Sequence, residues 1–135
     1  MVDSLGRTPY GGVIAADTNA IHDLFGEQRE PKTHLLRDAF REGRLLLPPP
    51  VLSEVLSEPA LEVFKGERVR ALPLLEILDG YWERAGLLRG MIRAERHKAF
   101  LADCLIAQSC LDHDIPLITY DHDFRHFARV GLRLL

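Results

Sequence analysis

Four acidic residues interrupt apolar stretches or head short helical segments in this chain. Asp17 closes the run Val13-Ile14-Ala15-Ala16, and Asp121 follows Leu117-Ile118-Thr119-Tyr120. Asp103 sits inside Phe100-Leu101-Ala102-Asp103-Cys104-Leu105-Ile106-Ala107, and Glu54 lies in the helix-like segment from 51 to 57. Carboxylates drawn from separate segments make an all-oxygen site, which suits a hard cation such as magnesium or manganese. The chemistry open to such a site is metal-assisted cleavage of a phosphodiester.

The elements around these residues say whether they can meet. Apolar runs at 13–16, 45–47 and 116–119 read as short buried strands. Helical patterns cover 31–42, 51–57, 78–96, 99–113 and 123–128, with a further short helix at 60–65. Gly43 stops the first, and Pro48-Pro49-Pro50 suits the first turn of the helix carrying Glu54. In the long helix, Trp82, Ala85, Leu88 and Ile92 form the expected inward stripe. The stretch 69–75 reads as extended, but Pro73 confines it to an edge, and 132–135 reads as a last strand. Strands alternating with helices predict an α/β fold with a central parallel sheet.

In such a sheet, ligands bind beyond the carboxyl ends of the strands. Asp17 and Asp121 both stand there. From Asp103 the helix descends by about 15 Å before the chain reverses. The following strand climbs back by about 13 Å. Asp121 therefore returns to the level of Asp103. The helix neighbours of Asp103 are Ala99, Phe100, Ile106 and Ala107, with no lysine or arginine among them. An ionised carboxylate on an apolar face is costly unless it is paired. Two carboxylates about 4 Å apart repel by roughly 4 kcal/mol at an effective dielectric near 20. A cation from solution would relieve that repulsion. Taken singly, Asp17 and one of Asp121 and Asp123 read as helix caps, and Glu54 as a solvated helix residue. Only Asp103 resists the ordinary reading, and the joint pattern favours a site.

Composition narrows the class. The chain has 135 residues, 47% hydrophobic and 27% charged, with a net charge of −3, so any hold on a polyanion must be local. It reads as one domain over 13–135 behind a flexible polar tail at 1–12. No apolar run is long enough to span a membrane, and the start has no secretory pattern. Cys104 and Cys110 share a helix and match no metal spacing, which fits buried thiols in a reducing cytoplasm.

Asp17-Thr18-Asn19, Ser53-Glu54-Val55, Ala102-Asp103-Cys104-Leu105-Ile106-Ala107 and Thr119-Tyr120-Asp121-His122-Asp123-Phe124 occur in that order. Together they resemble the PIN domain family, most closely the VapC-type toxins of toxin–antitoxin pairs, over nearly the whole of 13–135. The resemblance implies a three-layer α/β/α sandwich and a magnesium- or manganese-dependent endoribonuclease. It also implies a homodimer and a small antitoxin whose tail covers the active site. Asp17, Glu54, Asp103 and Asp121 fall on the four acidic positions, with Asp123 a fifth metal-binding carboxylate that could exchange roles with Asp121. Asn19 and Thr119 match polar positions that hold the acids or a metal-bound water. The lead of residues 1–12 is longer than the family's usual start.

Other signals are weaker. Arg89, Arg93, Arg96 and His97 recur at three- and four-residue steps, beside Arg84 and Lys98, and could hold RNA phosphates or simply face solvent. His122 and His126 have zinc-ligand spacing but no further ligand. Aspartyl phosphotransfer would need a lysine on the acidic rim, and none adjoins Asp17 or Asp121 in sequence. A silent RNA- or protein-binding module and a processing nuclease outside any toxin pair are the remaining alternatives.

Overall fold

The computed structural model describes residues 11–27 and 30–135. Most of the tail expected at 1–12 lies outside them. At its end, the Gly12 carbonyl accepts from Arg44 Nη1 at 2.8 Å.

Among the described residues three short strands form a parallel sheet in the order β2-β1-β3. They are β1 (Ile14–Ala16), β2 (Leu45–Leu46) and β3 (Leu117–Ile118). Ile14 pairs with Leu45 and Ala15 with Leu46 on one side, and Ala15 with Leu117 and Ala16 with Ile118 on the other. Every residue of β1 is buried, as a central parallel strand covered on both faces requires. Single parallel bridges extend the sheet at each edge, Leu47 with Leu74 and Leu117 with Leu134. The expected extended piece at 69–75 and the expected last strand at 132–135 each contract to one of these bridges.

Among the described residues seven helices flank the sheet: α1 (Thr18–Leu24), α2 (Pro31–Arg41), α3 (Pro49–Leu56), α4 (Val63–Arg70), α5 (Tyr81–Ala94), α6 (Leu101–His113) and α7 (Arg125–Ala128). A 3-10 turn, His122–Phe124, leads into α7. The architecture is the predicted α/β one. Gly43 adopts φ +71° directly after α2, the left-handed stop its position required. Helix α4 lies later than the 60–65 expected, because Glu58 first folds the chain back. Its side chain accepts from the Ala60 amide at 3.1 Å, and its carbonyl from the Leu61 amide at 3.1 Å.

Two side chains expected inside are outside. Trp82 is 62% exposed, and Tyr81 takes the inward place with Ala85, Leu88 and Ile92. The Tyr81 hydroxyl donates to the Leu105 carbonyl at 2.6 Å, fastening α5 to α6. Phe100 is 54% exposed because it caps α6 in extended backbone, off the helix face that buries Ile106 and Ala107. Cys104 and Cys110 are free and buried, and burial pushes their thiols up to about 11 and about 12.

Candidate active site

Asp17 leaves β1 and caps α1 from extended backbone. Its amide donates to the Ile118 carbonyl at 2.9 Å, so the residue is tied to the end of β3. Both carboxylate oxygens are engaged: Oδ1 accepts from the Thr18 amide at 2.7 Å and Oδ2 from Thr119 Oγ1 at 2.8 Å. The same Thr119 hydroxyl accepts from the Asp121 amide at 3.0 Å. Asp121 caps the 3-10 turn by accepting from the Asp123 amide at 2.9 Å. Glu54, on α3, accepts from Thr18 Oγ1 at 2.8 Å. Two threonines thus connect three of the acids. The ordinary capping roles are real for Asp17 and Asp121, and they also aim the remaining lone pairs.

Asp103 enters from the first turn of α6 and is half-buried. Among the described residues it has no hydrogen-bond donor. Burial pushes its carboxyl up to about 6, and the charges of Asp17, Asp121, Glu54 and Asp123 add to the rise. Asp17 is raised as well, first by burial and then by Glu54 and Asp121, against the lowering effect of its Thr119 and Thr18 bonds. Five carboxylates from four segments therefore share one electrostatic neighbourhood, and no cation enters the balance at either aspartate.

The donor set is all oxygen and fits a hard divalent ion by its chemistry. Its present arrangement is open. Among the described residues no three carboxylates, imidazoles or thiols converge as a ready-made cage, since oxygens of Asp17, Glu54 and Asp121 are turned to hydroxyls and amides. His122 and His126 likewise build no zinc site among the described residues.

Of the supporting residues, Thr119 holds Asp17, whereas Asn19 Oδ1 accepts from the Tyr120 amide at 3.2 Å. Two partners went unread in the sequence. Lys32 Nζ donates to the Thr119 carbonyl at 3.0 Å and lies 5.4 Å from the centre of the Tyr120 ring. Thr33 shares a 2.7 Å hydrogen bond with the Tyr120 hydroxyl. A lysine does therefore stand beside the rim. It arrives from 87 positions away on α2, a distance at which spacing carries no signal. The arginine stripe divides: Arg89 Nε donates to the Ala99 carbonyl at 3.0 Å, while Arg93 and Arg96 are exposed and His97 turns to another ring.

The class defined by this fold and site is a small α/β domain with carboxylates grouped at the carboxyl ends of parallel strands. The chain belongs to the PIN domain family, whose model matches residues 14–130. Among solved structures it is similar to VapBC2 from Rickettsia felis bound to a DNA fragment from their promoter. There the TM-score is 0.70 at 16% identity, over 91% of this chain and 97% of that one. FitAcB from Neisseria gonorrhoeae gives 0.66 at 16%, over 91% and 96%. VapBC-5 from Mycobacterium tuberculosis, a member of the VapBC family of toxin-antitoxin systems, gives 0.60 at 17%, over 92% and 96%. At these identities the likeness establishes the fold. No curated protein sequence matches the chain significantly.

Proposed function

We propose that the chain is a divalent-metal-dependent endoribonuclease acting as the toxin of a toxin–antitoxin pair. The observation that carries the nuclease reading is Asp103. A half-buried carboxylate feels the charges of four others and no offsetting cation. Asp17, Glu54, Asp103, Asp121 and Asp123 would hold magnesium or manganese. When bound, the ion would supply an activated water and neutralise charge on the phosphate. The chain's own contribution is to position. Thr119 orients Asp17, Thr18 orients Glu54, and the short turn at Asp121 presents its carboxylate and that of Asp123 on one rim. No side chain is needed as a covalent nucleophile.

The toxin role is supported by the company the fold keeps, since VapBC-5 is described as a member of a family of toxin-antitoxin systems. It is also supported by an apolar groove of about 430 Å³ that reaches Glu54 and is lined by Pro49, Pro50, Ile77, Trp82 and Leu101. A partner lying there would cover the site. The reading includes a homodimer and work in the cytoplasm. Among the described residues no helix is long and apolar enough to cross a membrane.

Two measurements test this. Purified protein should cleave RNA with magnesium or manganese and stop in chelator; undiminished cleavage in chelator removes the metal from the mechanism. Expression alone should arrest growth, and co-expression of the small protein encoded beside it should restore growth. A harmless chain that cleaves RNA well would instead be a processing nuclease.

A further inference from the structure

His97 leaves the loop between α5 and α6 and lays its ring on His126 of α7, with centroids 3.9 Å apart and planes within 18°. Both rings are half-exposed, so the stack ends at solvent. Arg125 and Arg129 flank it on and just after α7, and their charges reach His126. Arg129 also pairs with Glu95 at the end of α5, at 3.7 Å. Asp123, one helical turn before His126, acts electrostatically on both His126 and Asp103. The stack therefore begins where the acidic rim ends.

Two imidazolium rings this close would repel by about 4 kcal/mol at an effective dielectric near 20. Desolvation, then His97, Arg125 and Arg129, hold His126 below its ordinary range, so the rings do not meet as two full charges. A flat, weakly charged aromatic surface edged by guanidinium groups has the chemistry of a nucleotide shelf. A base stacks on the ring face while neighbouring phosphates take the arginines. A shared metal ion fits less well, because rings stacked face to face do not aim their nitrogens at one point.

We infer that His97 and His126, rimmed by Arg125 and Arg129, bind a nucleotide of single-stranded RNA flanking the one cleaved at the carboxylates. The inference rests on the ribonuclease reading and adds the path of the strand.

The test uses the full chain carrying Asp103→Asn, so that RNA is bound and not cut. A labelled single-stranded RNA oligomer is titrated by fluorescence anisotropy in magnesium, at several salt concentrations. His97→Ala and His126→Ala should each weaken binding about tenfold, while His126→Phe, which keeps a stacking face, should stay within about threefold. Arg125→Ala with Arg129→Ala should flatten the dependence of log affinity on log salt by about 0.7 per guanidinium removed. These arginines are exposed, so the double variant remains folded even if the histidine variants do not, and melting curves report which is the case. Unchanged affinity and salt slope in the folded variants overturn the shelf. If wild-type protein nevertheless cleaves RNA, the nuclease reading survives that result. If the wild type neither cuts nor binds RNA, both fall together.

Discussion

Helix α6 carries an aspartate near each end, and the two are treated in opposite ways. Asp112, near the last turn, has a side chain only 7% exposed. Arg84 grips both its oxygens, Nε to Oδ1 at 2.9 Å and Nη2 to Oδ2 at 2.6 Å, and Gln108 Nε2 adds a bond at 2.8 Å. Burial pushes that carboxyl up, but the Arg84 and Gln108 bonds outweigh it and hold Asp112 below the usual range. Asp103, in the first turn, is raised to about 6, first by burial and then by the charges of Asp17, Asp121, Glu54 and Asp123. One fold thus neutralises an acid where it serves packing and leaves another uncompensated within the influence of four other acids. Electrostatic stress confined to one end of a helix is what the proposed site requires.

The sharpest way to break the comparison is to exchange the consequences. Asp103→Asn should lower RNA cleavage by more than about a hundredfold, in line with loss of a group acting on the transition state, while the fold persists. Asp112→Ala should do the reverse, with cleavage retained per folded molecule. It would cost about 2 kcal/mol of stability, since charge-assisted bonds are lost and Gln108 and Arg84 are left without their acceptor. Paired turnover and chemical-denaturation measurements separate the two; equal losses of activity would erase the distinction.

Next in size is the effect of metal. Magnesium or manganese at millimolar concentration should raise the melting temperature of the wild type, because binding favours the folded state. Asp17→Asn or Asp121→Asn should shrink that rise, whereas Asp112→Asn should leave it intact. Coincident melting curves with and without metal would argue against a shared carboxylate site.

The smallest effect is in the pH dependence without metal. A raised carboxyl is bound to its proton more tightly when folded, so the Asp103 contribution is fully present below about pH 4 and is lost as pH rises towards about 6. A lowered carboxyl behaves oppositely. The Asp112 contribution is present above the unfolded pKa near 4 and is lost as pH falls through its depressed folded value. Denaturation midpoints from pH 3 to 7 should therefore show Asp103→Asn gaining on the wild type as pH rises. A constant difference across that range would mean that Asp103 is not stressed in the folded state.

Much of this was legible from residue order. Asp17 and Asp121 follow strands, and strand ends in a parallel sheet share a rim, so the two were bound to approach. The position of Asp103 followed from helix and strand rises. What stayed hidden had its cause in three dimensions. Lys32 and Thr33 lie on α2, and nothing local marks them as neighbours of Tyr120 and Thr119. Arg84 reads as part of a basic stripe until its partner on α6 is known. Trp82 and Tyr81 are adjacent on a helix, and a three- or four-residue step to Ala85 admits either, so the stripe alone could not choose between them. The division of the arginine stripe depended on which way each side chain leaves α5, and periodicity leaves that open at a helix end.

The hydroxyl of Thr119 reaches across 102 positions of sequence to hold Asp17. That single bond sets a timetable. While the chain is being made, residues 14–113 can emerge and begin to fold with three of the acids already present. Thr119, Asp121 and Asp123 come only later, just after a strand whose outer edge is bridged to Leu134. A chain released before Pro116 carries no complete site, however well its helices have formed. The proposed site thus closes only once both sides of the Thr119–Asp17 bond exist, and a translation product interrupted between them lacks it by its own topology.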